Sequence, residues 1–158
     1  MSGTDDAGFL LRAIELAERS VNDGGGPFGA VVVRNGAVVG EGQNRVTTTN
    51  DPTAHAEIVA IREACGRLAT FELSGCVLYA SCEPCPMCLA AAYWARLDAV
   101  VFAATRADAA AAGFDEERIG HELSLPAASR SLPLRHVGHV RAFEPFELWK
   151  RKSDRIEY

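Results

Sequence analysis

The stretch Cys76-Val77-Leu78-Tyr79-Ala80-Ser81-Cys82-Glu83-Pro84-Cys85-Pro86-Met87-Cys88, together with Ala99-Val100-Val101-Phe102-Ala103 just beyond it, decides the fold. Cys76 to Ala80 is a short continuous apolar run and reads as a buried strand. Pro86 suits the first turn of a helix, where a missing N–H costs nothing, and Met87 to Ala95 continues that helix. Ala99 to Ala103 is a second strand. Strand, helix and strand within about thirty residues form a βαβ crossover, which makes the two strands parallel and predicts an α/β fold.

Outward from this unit, Phe9, Leu10, Ala13, Ile14, Leu16, Ala17 and Val21 recur at helical spacing, so residues 9–22 form an amphipathic helix stopped by Gly24-Gly25-Gly26-Pro27. That glycine run lacks the lysine and following helix of a phosphate loop; it is a turn that brings Phe28 toward the site. Ala30 to Val33 and Ala37 to Val39 are strands joined through Arg34-Asn35-Gly36, because Asn-Gly accepts the positive φ of a tight hairpin. An antiparallel hairpin beside a parallel crossover makes the sheet mixed. Asp51-Pro52 reads as an N-cap and first helical residue, giving a helix over Pro52 to Leu68 with Ala56, Val59, Ala60, Ala64 and Leu68 on one face. Beyond the crossover the signal weakens. Ala107 to Ala112 forms a short helix ended by Gly113, Leu123 to Pro133 is loop, His136 to Val140 is a fifth strand, and Pro145 to Arg155 is a closing helix. With no repeat or linker, residues 1–158 read as a single domain.

The composition bounds the function. The 158 residues are 48% hydrophobic and 23% charged, as expected of one soluble globular domain. No run approaches the ~18 apolar residues of a membrane span, and Met1 to Asp6 is polar and acidic where a secretory leader is basic and then apolar. The expectation is a cytoplasmic protein with no membrane partner. Sixteen Lys+Arg against 21 Asp+Glu give a net charge of -5, and the only lysines are Lys150 and Lys152. That balance argues against a nucleic-acid partner, since phosphate-backbone binders concentrate basic residues on one face. Three of the five cysteines fall between Cys82 and Cys88, a clustering that means metal or thiol chemistry in a reducing compartment.

The chemistry lies in His55-Ala56-Glu57 and Pro84-Cys85-Pro86-Met87-Cys88. Cys85 and Cys88 share one side of a first helical turn, where exposed amides and the dipole favour thiolates. Two thiolates and an imidazole select Zn2+, and three protein ligands leave a fourth position for water or hydroxide. Glu57 supplies a proton acceptor beside that water, which zinc acidifies to a pKa of about 7. Residues two apart on a regular helix diverge by about 200°, so His55 and Glu57 converge only if the end of their helix faces the metal. Cys-x-x-Cys alone suits a zinc knuckle or redox pair as well as it suits a catalytic site, and Cys82 offers a fourth ligand that would close a structural site in a non-catalytic zinc-stabilised binding module. His-x-Glu upstream shifts the balance to the zinc deaminase pattern H-x-E…P-C-x-x-C. Cys65 and Cys76 read as core, Trp94 and Trp149 as packing, and His121, His136 and His139 have no ligand spacing.

At these residues the chain resembles the cytidine deaminase superfamily, and within it the short bacterial guanine deaminases. The resemblance also takes in Gly26-Pro27-Phe28-Gly29-Ala30, Gly42-Gln43-Asn44, Asn50 to Glu57, Ser81 to Cys88, Tyr93-Trp94-Ala95-Arg96, Ala112-Gly113-Phe114-Asp115 and the terminal Glu157-Tyr158. It implies a three-layer α/β/α sandwich around a five-stranded mixed sheet. It implies hydrolysis of guanine, a small-molecule purine substrate, to xanthine and ammonia, with one zinc per subunit on His55, Cys85 and Cys88 and proton transfer by Glu57. Asn44 and the backbone at Ala56 would hold the ring, with Phe28 against it. An acidic residue just after Gly-Phe-Asp would contact the base and relay protons; that residue is Glu116, and Asp115 beside it could take the role instead. A homodimer is implied, with the segment from about 143 to 158 exchanged and Tyr158 reaching the partner's pocket. The residues themselves leave packing within one subunit equally open. So do other substrates of the superfamily: cytosine, a nucleoside, a triazine such as ammeline, or tRNA adenosine, the last disfavoured by the acidic charge.

Overall fold

The computed structural model describes residues 5–158; Met1 to Thr4, part of the acidic start that argued against a leader, lie outside them. In chain order the elements are α1 (Asp6–Asn22), β1 (Gly29–Arg34), β2 (Ala37–Gln43), α2 (Val46–Thr49), α3 (Ala56–Leu68), β3 (Cys76–Cys82), α4 (Pro86–Trp94), β4 (Ala99–Ala104), α5 (Arg106–Ala111), α6 (Glu116–Ser124), a 3-10 turn (Ala127–Ser129) and α7 (Glu144–Arg151). They fall into two compact units, one ending at Gly120 and the other His121–Tyr158.

The first unit is an α/β/α sandwich on a mixed sheet of order β2-β1-β3-β4. Asn35 and Gly36 both take positive φ, as the tight hairpin between β1 and β2 requires. β1 and β3 pair antiparallel, and β3 and β4 pair parallel through α4, as the crossover demands. Alternation along β1 divides the core. Ala30 and Val32 face α3 with Leu78 and Cys76, whereas Val31 and Val33 face α1 with Leu16 and Tyr79. On the α1 side Tyr79 stacks near Phe9 at 5.1 Å and its hydroxyl donates to Asp6 Oδ1 at 2.7 Å.

Small residues set how closely the helices approach. Ala56, Ala60 and Ala64, each 0% exposed, form one stripe of α3 that lies directly on Gly40 and Gly42 of β2. A Cβ on Gly42 would run into the Ala56 carbonyl and come within 2.6 Å of Ala60 N. Burial of this kind leaves no side chain between helix and strand, so the sheet backbone dictates where the first turn of α3 stands.

Several expectations are corrected. Among the described residues the sheet has four strands, not five: His136 to Val140 is irregular, with Val137 71% and Val140 96% exposed. Five residues with two histidines and a central glycine bury too little to hold an extended segment without a strand beside it. The second helix begins at Ala56, not Pro52. Asp51 Oδ1 instead accepts from Thr53 N at 2.8 Å and Thr53 Oγ1 at 2.7 Å, closing a local turn before the helix starts. Helix α6 lies in the stretch that gave little signal; Ile119 and Leu123, four apart, are its apolar trace. Trp94 is 68% exposed and stands outside the core. In the second unit α7 is shorter than the expected 145–155 helix, and Phe143, Phe146 and Leu148 are exposed.

The Gly42→Ala protein should lose about 1–3 kcal/mol through overpacking. Gly66→Ala, on an exposed turn of α3 with nothing within 4 Å, should gain up to about 1 kcal/mol from helix propensity. Thermal unfolding of both variants tests this, and a Gly42→Ala protein as stable as wild type would contradict the close approach of α3 and β2.

Candidate active site

One edge of the sheet collects the functional residues. β3 and β4 are parallel, so both end there, and β1 begins there because it runs opposite to β3. Ser81 Oγ at the end of β3 accepts from Gly29 N at 3.0 Å, tying Phe28 to this edge. Asn44 follows β2 at the same edge, its N–H donating to the Phe28 carbonyl at 3.0 Å. Crevices at strand carboxyl ends are where open α/β sheets bind ligands.

Two helices start at this edge. His55 is the N-cap of α3 and Cys85 the N-cap of α4, both in extended backbone, with Pro86 next and Cys88 at the third helical position. Neither cap residue uses its side chain to cap its helix. Each therefore projects past the helix end. Cys85 Sγ and Cys88 Sγ both lie 3.5 Å from His55 Nδ1, and the three donor atoms fall within 4.8 Å of one another. Tetrahedral zinc with bonds of about 2.0–2.3 Å would hold nitrogen and sulfur ligands about 3.6 Å apart. The donor set and its spacing fit zinc.

The electrostatics suit a cation. The Cys88 thiol hydrogen-bonds to Cys85 and, with help from His55, pulls the Cys85 thiol down to about 4, against the opposing effect of burial. Cys88 is correspondingly pushed up as the partner that keeps its proton, and the contact with Cys85 holds the His55 imidazole above its ordinary value. One thiolate is ready, and binding a metal would release the second proton.

Glu57, 6% exposed, sits at the second position of α3 and is pushed up to about 7 by burial. It hydrogen-bonds to its own backbone N–H and to Cys88, which puts its carboxylate beside the cluster. The divergence expected of residues two apart on a helix does not arise. His55 is not helical, so it and Glu57 need not point from the flank of one helix.

Ala56, fully buried, is the first helical residue of α3, and its N–H belongs to the set a helix leaves without internal partners. Asn44 is 7% exposed; its Oδ1 accepts from Val46 N at 3.1 Å and Gly26 N at 3.4 Å, which fixes the amide and leaves its NH2 to donate. Phe28 meets Phe114 edge to face at 4.9 Å. Asp115 is exposed and its Oδ1 accepts from Arg118 N at 3.1 Å, so it is spent on starting α6. Glu116 is half-buried, and its charge is felt by both Cys85 and His55; burial raises it above the usual carboxylate range. Tyr158 belongs to the second unit, where it is 74% exposed.

Cys82 is not part of the cluster. Its thiol points to the Thr105 carbonyl at 3.6 Å, and burial, with the charges of Glu116 and Glu57, pushes it up to about 11. An apolar cavity of about 380 Å³ lined by Ile14, Val21, Phe28, Cys82, Ala109 and Phe114 adjoins this edge without including His55, Cys85 or Cys88. Sequence reading gave no role to Glu83 or to Arg106, whose side chains pair at 3.3 Å. Glu83 lies within the Ser81 to Cys88 motif, but nothing in the sequence links it to a partner 23 positions away.

Known proteins match over this architecture. Residues 4–104 match the family model of the cytidine and deoxycytidylate deaminase zinc-binding region. Guanine deaminase of Bacillus subtilis (strain 168) is 54% identical over 151 residues, covering 95% of this chain and 97% of that protein. The crystal structure of guanine deaminase from Bacillus subtilis superposes with a TM-score of 0.93 at 53% identity, covering 96% of this chain and 98% of that one. The tRNA-specific adenosine deaminase of Aquifex aeolicus (strain VF5) is 45% identical over 96 residues, covering 61% of this chain and 64% of that protein.

Zinc content of purified variants tests the ligand set. Cys85→Ser, Cys88→Ser and His55→Ala should each fall well below the one zinc per chain expected of the wild type, and Cys82→Ala should keep it. Loss of zinc from Cys82→Ala alone would mean a closed four-ligand site.

Proposed function

The chain belongs to the zinc-dependent cytidine deaminase superfamily, and we propose that it hydrolyses guanine to xanthine and ammonia. The observation that carries the substrate is the extent of likeness. The family model ends at residue 104, whereas similarity to the Bacillus subtilis guanine deaminase runs over 95% of the chain. It therefore takes in residues beyond 104, and with them the Phe114 to Glu116 segment beside the cluster.

His55, Cys85 and Cys88 hold the zinc. When bound there it supplies Lewis acidity and an acidified water as nucleophile. The reaction forms a C–O bond at C2 of the purine and breaks the C2–N bond to the exocyclic amine. Glu57 takes one of the water's protons and delivers it to the departing amine, which leaves as ammonia, and the water's other proton ends on ring N3 as the C2 carbonyl of xanthine forms. A buried carboxyl with a pKa near neutrality serves both directions of that transfer. Asn44 donates its NH2 to the ring, the N–H of Ala56 holds an acceptor, and Phe28, braced by Phe114, packs on the base face. Glu116, rather than Asp115, contacts the base and relays protons, because Asp115 is engaged with Arg118 N. Two thiolates cancel the zinc charge, so the pocket suits an uncharged heterocycle.

The working form is a cytoplasmic homodimer in which residues from about 143 onward are exchanged and Tyr158 covers the partner's pocket. The exposed apolar side chains of Phe143, Phe146 and Leu148 support a tail that packs on another surface. Five free cysteines, two of them needed as thiolates, suit a reducing compartment. No helix among the described residues is long and apolar enough to cross a membrane.

Ammonia release by zinc-loaded protein on guanine, guanosine, adenine, cytosine, cytidine and ammeline tests the substrate. Guanine should be turned over, and Glu57→Gln should cost about 10²–10⁴-fold while keeping its zinc. Turnover of another amine with silence on guanine would sink the assignment, and silence on all six would point to a binding module. Mixing Glu57→Gln with Tyr158→Ala chains tests the exchange. Random dimers should recover about a quarter of wild-type activity if Tyr158 acts in trans, and none if it acts in its own subunit.

A further inference from the structure

Among the described residues, two buried side-chain atoms have no hydrogen-bond partner, Arg106 Nε and Glu116 Oε2. One is a charged donor and the other a carboxylate acceptor, and buried polar groups are rarely left unmatched. Only the rest of α5 and the turn after it, closed by Phe114 N donating to the Ala109 carbonyl at 3.0 Å, separate the two residues. Arg106 is among the charges that draw Glu116 back toward its ionised form, although no N···O distance between them is within ion-pair range.

The rest of Arg106 is firmly placed. Its backbone N–H donates to Glu83 Oε2 at 3.0 Å and its Nη2 lies 3.3 Å from Glu83 Oε1, so one carboxylate holds both main chain and guanidinium. Glu83 N in turn donates to the Ala104 carbonyl at 2.8 Å. Thr105 and Asp108 close a reciprocal capping box around the same residue, with Asp108 Oδ2 accepting from Thr105 N and Thr105 Oγ1, both at 2.8 Å. With Nη2 engaged by Glu83 and the backbone pinned on both sides, Nε is a placed and buried donor that is left unmatched. A planar guanidinium presents its donors along fixed edges and so can hold two carboxylates in set positions, whereas the rotatable donors of an ammonium do not fix them.

We propose that Arg106 is a positioning residue that orients Glu116 toward the substrate, using its Nε–H either directly or through one water while Glu83 anchors the opposite edge. This rests on the reading of Glu116 as a base-contacting group. The consequence is specific. Arg106 sets where the Glu116 carboxylate stands, and through it how tightly the substrate is held, without touching the metal ligands.

A double-mutant cycle on Arg106 and Glu116 tests it, run on whichever of the six amines the wild-type, zinc-loaded protein hydrolyses. A wrong substrate assignment then leaves this test intact, and a wild type inert on every amine overturns both readings. Arg106→Ala should lower kcat/KM about tenfold, mainly by raising KM, with zinc content unchanged. In a Glu116→Gln background the same change should cost less than about twofold, because the two residues act as one unit. Arg106→Lys should resemble Arg106→Ala in kcat/KM, since it keeps the charge near Glu83 but has no Nε–H; it also carries the cycle if the alanine variant does not fold. The inference is overturned if the tenfold loss persists in the Glu116→Gln background, if lysine restores wild-type KM, or if zinc is lost with Arg106→Ala, which would place its action on the Cys85 loop through Glu83.

Discussion

Everything at the site depends on two helices beginning at one point. His55 and Cys85 each occupy the residue before a helix in extended backbone, so their side chains project beyond the first turn. Both helix ends also bring unpaired N–H groups and positive dipole to the same place, which favours thiolate and carboxylate there. The low value of the Cys85 thiol reflects this crowding of donors, above all the neighbouring Cys88 thiol. Glu57 shows the opposing effect, a carboxylate whose burial outweighs the donors around it and leaves it near neutrality.

Bringing two helix ends together is a problem of packing, and small residues solve it. The alanine stripe of α3 rests on the glycines of β2, and on the opposite face Gly29 lets α1 approach β1 so closely that a Cβ would come within 2.5 Å of Ala17 N. Contacts between backbones carry less adjustable volume than contacts through long side chains, so the position of α3, and with it His55, is tied to the sheet. The βαβ crossover does the same for Cys85. Its strand β3 is almost entirely buried, and α4 begins four residues after that strand ends.

The segment that carries Phe114 and Glu116 lies beyond the matched family region, whereas the His55, Cys85 and Cys88 cluster lies within it. The matched family region stops at the end of β4, where the ligands and Glu57 are already complete. Helix α5 and the turn into α6 contribute Phe114 against Phe28 and Glu116 near the cluster.

The sequence by itself determined what local interactions govern. The Asn-Gly hairpin, the βαβ crossover, and the His-x-Glu and Cys-x-x-Cys motifs each lie within about thirty residues, and each was legible in the sequence. The family was legible too, from motifs spread along the chain. Only the tertiary structure decided that the segment at 136–140 has no place in the sheet, that α3 starts at Ala56 with His55 as its cap, and that Asp115 accepts from Arg118 N at the start of α6 while Glu116 is half-buried. It alone joined Glu83 to Arg106 across 23 positions. The physical reason is shared. Each of these depends on which groups remain for water, metal or one another after strands distant in sequence have paired, and that pairing is set by the whole core rather than by any local run of residues.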